Sequence, residues 1–336
     1  MGIEKDKLFD VIKQKLPKNV LFTEEIADVL DVSYDASYRR IKGRTALTFK
    51  EAVKLASHYK ISLNELYDLP SDNTLLINKN KFQDNIDGLI HFYKELSYYT
   101  KTFHSGSKAQ IVYSAKDIPF YHVKTTNLYW KFRIYAHLNF SKKNSINNNL
   151  SFYQFTPKFA AVEEAKNFRE TFKLTDIIDI WSDTTIDSSL YQIFYFFRTK
   201  TLNKEEALLL CDEINTIINR LEQNVTNVNT ENRLINKRKY RYTLYYSKLL
   251  NLNHSIFFKN EFKKGILMPY GSFSHIKIED SIICNEMDSY LQKQLQFAKK
   301  ISSETEIDRK VFFTTMYEKI DQLKNEIKSK TLISFM

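Results

Sequence analysis

FTEEIADVLDVSYDASYRRIKGRTALTFKEAVKLASHYKISLNELY, residues 22–67, is the stretch on which the reading of the whole chain turns. Thr23 followed by Glu24 and Glu25 marks a helix start, since a hydroxyl accepts an orphan backbone N–H and carboxylates favour the positive helix end. Ile26, Ala27, Val29 and Leu30 give a short apolar stripe. Asp31 falls where that helix must turn, at a left-handed position that Asp tolerates. Val32 plugs the turn and Ser33 caps a second helix, about Tyr34 to Lys42. That helix is expected to point Tyr34, Tyr38 and Ile41 inward, leaving Asp35, Arg39, Arg40 and Lys42 outside. From Arg39 to Lys60 there are seven Lys or Arg against one acid, Glu51, a strip suited to phosphates. Thr48 with Glu51 has the capping-box pattern ahead of Ala52, Val53, Leu55, Ala56 and Tyr59, and Ser62 opens a last short helix through Leu63, Leu66 and Tyr67. Spacing, caps and charge together predict a DNA-binding helix-turn-helix.

The stretch resembles the lambda-repressor and Cro-like helix-turn-helix regulators, the XRE family. The resemblance rests on Ala27 early in the first motif helix, the Val32-Ser33 pair closing the turn, and the I-S-x-x-E-L pattern of Ile61 to Leu66. Asp31 departs from it, replacing the usual turn Gly. Ser37 departs too, standing where a β-branched core residue is usual. The resemblance implies a transcription regulator that contacts double-stranded DNA. With the basic strip, it nominates Ser33, Asp35, Ser37, Arg39, Arg40, Lys42 and Arg44 as the DNA-binding residues. It also implies a homodimer and a C-terminal region that dimerises or senses a small-molecule or protein effector. The alternatives are a helix-turn-helix-bearing, ligand-dependent effector and a protein-interaction adaptor that no longer touches DNA.

Outward from this stretch, 336 residues exceed the usual single domain, and 43% hydrophobic with 27% charged residues describe an ordered globular chain. A net charge of +10 favours polyanionic partners. Cys211 and Cys284 stand far apart without CxxC spacing, which points to neither zinc nor a disulfide framework and fits a reducing cytoplasm. The start MGIEKDKLFDVIKQKL lacks the apolar core of a secretion signal, and no later run suits a membrane span.

The expected domains are the helix-turn-helix domain 1–70, a linker 71–80 signalled by Pro70 to Asn73, a helical region 81–230, and strands with C-terminal helices in 231–336, the last two forming one unit. Helical periodicity marks residues 4–16, 81–104, 128–140, 158–173, 187–199, 203–223, 279–297 and 303–328. Gln110 to Tyr113 is a short strand, and alternation predicts antiparallel strands at 240–246, 254–259, 264–268 and 273–278. The fold class is therefore α+β, mostly helical, with a small antiparallel β-sheet. The apolar stripe Phe82 to Leu96 needs a partner surface, either the C-terminal core or a second copy of the same helix, and with Val311 to Ile327 it offers a dimer surface.

Two further stretches carry chemistry-bearing residues. In SAKDIPFYH, residues 114–122, Asp117 and His122 have the types for an acid–base pair, but Pro119 and the aromatic neighbours fit a capped, stapled turn better. Arg233 to Tyr242 holds five basic residues and two tyrosines, either a second nucleic-acid surface or a solvated lead into a strand. Trp181 belongs in a core. No phosphate-loop, dinucleotide, nucleophile-elbow or zinc motif occurs, so no cofactor, no metal and no catalysis are expected.

Overall fold

A computed structural model describes residues 3–17, 20–66, 85–104, 109–141, 151–226, 232–235, 238–248, 254–271, 274–301 and 306–330. The expected linker 71–80, and with it Tyr67 and Phe82, lies outside these residues. The chain divides into two compact units, residues 1–76 and 77–336.

The N-terminal unit is all helical: α1 Ile3–Lys15, α2 Phe22–Leu30, α3 Tyr34–Ile41, α4 Phe49–Tyr59 and the single turn α5 Leu63–Leu66. Leu8, Phe9 and Ile12 of α1, Ile26 and Leu30 of α2 and Leu55 of α4 form its core. The α2 helix begins at Phe22 after Leu21, which provides no side-chain cap, so Thr23 lies inside the helix rather than at its cap. Asp31 is left-handed, φ 60° and ψ 54°, and its N–H and that of Val32 close on Asp28 and Ala27 carbonyls. Ser33 caps α3, its Oγ accepting from the Ala36 N–H at 3.3 Å. Thr48 and Glu51 form a complete capping box on α4, with 3.2 Å and 2.9 Å bonds.

The C-terminal unit corrects the expected small antiparallel sheet. Its strands are β1 Gln110–Ser114, β2 Asp176–Trp181, β3 Asn232–Ile235, β4 Arg238–Tyr246, β5 Ser255–Lys259, β6 Lys264–Pro269, β7 His275–Ile278 and β8 Lys299–Lys300. They form one eight-stranded mixed sheet in the order β3-β4-β2-β1-β5-β6-β7, with β8 pairing β4. The centre is parallel, β1 with β2 and β2 with β4, while β5, β6 and β7 extend β1 as an antiparallel meander. Parallel neighbours need long crossovers, which here are helical. Between β1 and β2 run α7 Leu128–Ser141 and α8 Phe159–Phe172; between β2 and β4 run α9 Asp187–Arg198 and α10 Lys204–Thr226.

Before the sheet, α6 Ile86–Lys101 starts at the Asn85 cap and packs on α8. After it, α11 Ser281–Phe297 packs on β6, and α12 Glu306–Lys330 packs on α9 and α10. Tyr113, Asp179 and Leu244 stand side by side across the three parallel strands, so they share one face. That face belongs to the main core, with Trp181, Phe168, Ile214 and Phe312. Gly265 on β6 is required by close approach: a Cβ there would fall on the Tyr99 hydroxyl of α6. Of the two stripes, Leu89, Phe92 and Leu96 of α6 and Phe312, Met316, Ile320 and Ile327 of α12 are buried in this core, while Val311 is exposed and Phe82 lies outside the described residues. Cys211 and Cys284 are free and buried. No helix among the described residues is long and apolar enough to cross a membrane.

Candidate functional site

The seven nominated residues separate into three groups. Asp35, Arg39, Lys42 and Arg44 are exposed. Ser37 is not, at 0% exposure; its hydroxyl donates to the Thr23 carbonyl at 2.9 Å and joins α3 to α2. Ser33 and Arg40 have local duties, Ser33 as the α3 cap and Arg40 as a tie to α4. Arg40 Nη2 and Nε lie 2.8 Å and 3.0 Å from Glu51 Oε1, and Nη1 donates to the Ala36 carbonyl at 3.0 Å. This contact holds the Glu51 carboxyl below its ordinary range.

Tyr34 and Tyr38 face outward, contrary to expectation, at 54% and 37% exposure. The inward face is Ser37 with partly buried Ile41, which turns the helix relative to the expected orientation. A small residue suits a place where two helices approach closely, and a tyrosine can keep an apolar body and a polar tip at the surface. The exposed face of α3 therefore runs Tyr34, Asp35, Tyr38, Arg39 and Lys42, at helical spacing. Lys42 Nζ and the Arg44 guanidinium each lie 5.9 Å from the Tyr38 ring centre, so one aromatic is flanked by two cations. Lys50 and Lys54 are exposed on α4, along with Phe49 and Val53.

In the C-terminal unit, Asp117 and His122 do not pair with each other. His122 Nε2 lies 2.7 Å from Asp179 Oδ2, and Asp179 also accepts from Tyr242 OH at 2.8 Å and from Tyr121 OH. Asp179 is fully buried, so these donors replace the water it has lost. Asp117 instead pairs with Arg133 of α7, Oδ2 to Nη2 at 3.2 Å, and accepts from Ile118 N at 2.8 Å and from Ser189 Oγ. Of the basic stretch 233–241, Arg233 falls in the edge strand β3 and Arg238 to Arg241 at the start of β4, which pairs antiparallel with β3 and parallel with β2; residues 236–237 lie outside the described residues. Trp181 is fully buried in β2. Among the described residues no cluster of metal-ligating side chains occurs.

The sequence reading missed Asp179 and Arg133, and it placed Tyr242, which is buried, in a stretch read as a nucleic-acid surface or a solvated lead into a strand. Its one available signal was an acid inside the apolar run Asp176-Ile-Ile-Asp179-Ile-Trp181, which a strand tolerates only with partners. Compared with family models, curated proteins and solved structures, the chain finds no match.

Proposed function

We propose that the chain is a sequence-specific, DNA-binding transcription regulator, whose C-terminal unit carries dimerisation and effector sensing. The observation that supports this reading is the exposed α3 face. It presents Arg39 and Lys42 beside Tyr34 and Tyr38, with Arg44 just beyond, on a helix that follows a left-handed turn. Cations supply the phosphate contacts, and a short capped helix is the element that enters a major groove. A single module of this size offers few base contacts, so two copies reading two half-sites are part of the proposal. Their interface lies away from the buried stripes of α6 and α12.

A gel shift on genomic fragments across a salt series tests it. If about four phosphates are contacted per copy, affinity falls about 100-fold per copy between 50 and 200 mM salt. A second reading has its own support: Phe49 and Val53, at 81% and 42% exposure, give α4 an apolar surface suited to a protein partner. Shifts that are absent at low salt at every protein concentration would favour that reading over DNA.

A further inference from the structure

We propose that the C-terminal unit binds a small, uncharged, planar molecule with an amide-like edge, in a half-open cavity of about 590 Å³ bordered by α6, α7, α8 and the sheet. The volume falls within the range of small-molecule sites. Its walls are aromatic and aliphatic: Phe92 of α6, Trp130 of α7, Phe168 of α8, Ile256 of β5 and Leu267 of β6. Rings set edge-on to one another, such as Phe92 and Phe120 with centres 6.0 Å apart, leave a flat occupant faces to stack on.

Asp117, Arg133 and His254 lie near one another on the cavity wall. Arg133 is held by the Ile118 carbonyl at 2.7 Å and by Asp117, and its guanidinium lies 4.9 Å from the Phe120 ring centre. Those bonds engage two of its five donors. His254 Nδ1 accepts from the Lys116 N–H at 3.2 Å, which assigns the ring proton to Nε2 and makes that nitrogen a donor. Asp117 Oδ2 and Gln192 provide acceptors on the cavity wall.

Arg133 is paired with Asp117, and burial pushes the His254 imidazole down, towards its neutral form, with the exposed Lys116 as the further cation that acts on it. A carboxylate ligand would set a second negative charge beside Asp117, and an ammonium would oppose Arg133. Both are unfavourable beside charged side chains only 19% and 20% exposed, whereas a carboxamide or lactam edge both accepts and donates. A half-buried ion pair is no better than apolar packing as a filler, so its place on a cavity wall suits recognition more than stability. That such a ligand governs DNA binding rests on the reading of the N-terminal unit given above; that it binds does not.

The test uses full-length protein with two probes of one shape, indole-3-carboxamide and indole-3-carboxylate, followed by calorimetry and saturation-transfer NMR at pH 7.5. The carboxamide is expected to bind with a Kd on the order of 0.1 mM, as suits its size. The carboxylate is expected to bind at least tenfold more weakly. Ala165 lines the cavity, and Ala165→Phe fills it, which should weaken carboxamide binding at least tenfold while circular dichroism stays unchanged. Arg133→Met should do the same, and if that variant fails to fold, the Ala165→Phe result and the ratio of the two probes still decide. The proposal is overturned if neither probe binds, if the carboxylate binds as tightly, or if Ala165→Phe binds like the parent. Gel shifts made without either probe judge the DNA reading separately.

Discussion

Arg39 and Arg40 are neighbours on one helix, and charge reversal should separate them completely. Arg40→Glu removes two contacts to Glu51 and one to the Ala36 carbonyl, between side chains only 17% and 18% exposed. Hydrogen bonds to a charged group are worth about 1.5–3 kcal/mol, and the new carboxylate would then face Glu51 across a few ångströms. Partial solvent access and side-chain relaxation discount the repulsion, leaving a cost of about 2–4 kcal/mol. The Glu51 carboxyl keeps its capping bond to Thr48 N at 2.9 Å, so the helix start survives while the α3–α4 tie is lost. Amide hydrogen exchange over residues 49–59, read by mass spectrometry, should speed about 30- to 1000-fold if those amides exchange through opening of this unit. Arg39→Glu should leave exchange at the parent rate, because its side chain is exposed, and should lower DNA affinity about 5- to 150-fold, the equivalent of about 1–3 kcal/mol. The charge swap Arg40→Glu with Glu51→Arg should restore much of the protection. Equal exchange in the two single variants would refute the assignment of Arg40 to structure and Arg39 to DNA.

Further outcomes follow from the C-terminal unit. Asp179→Ala removes the acceptor shared by Tyr121, His122 and Tyr242, and should cost about 3–5 kcal/mol in urea unfolding followed by tryptophan fluorescence, since Trp130 and Trp181 both lie in this unit. Burial pushes the His275 imidazole down to about 4 from an ordinary 6.5, so the unfolded state binds its proton first as pH falls. Stability should therefore be complete above pH 6.5 and fall by about 3 kcal/mol towards pH 4; in His275→Gln this slope should shrink in urea melts at pH 4.5, 5.5 and 7, and an unchanged slope would exclude His275 as its source. Gly265→Ala drives a methyl group onto the Tyr99 hydroxyl and should cost about 1–3 kcal/mol in the same melts, with relief in the Gly265→Ala, Tyr99→Phe double variant.

What the sequence disclosed of the fold depended on how far apart the partners lie. The α10 stripe, with Ala207, Leu210, Ile214, Ile217, Ile218 and Leu221 all buried, repeats over many turns and is legible by itself. The meander β5, β6 and β7 is legible because each strand pairs with its successor across a short turn, such as that in which Asn260 Oδ1 accepts from Phe262 and Lys263. The parallel centre is not. Its β2 is six residues long, with Asp176 and Asp179 three positions apart and so out of step with a period of two, and its partners on either side are reached only through helical crossovers. An antiparallel reading of the visible strands then follows from missing the one strand that joins them.

The site was obscured by a similar confusion of nearness in sequence with nearness in space. Asp117 and His122 lie five positions apart, and even an unbroken helix would set them about 140° apart around its axis. Pro119 prevents that helix: it is extended at φ −58° and ψ 142°, and only Phe120 to His122 form a single 3₁₀ turn after it. The segment thus sends its acid to Arg133 on the cavity wall and its imidazole to Asp179 in the sheet. Each long-range partner lies on a crossover element or strand whose position follows from the parallel pairing. Reading the polar contacts therefore required the topology first, and the same dependence hid Ser37, whose meaning comes from the Thr23 carbonyl one helix away rather than from its own neighbours.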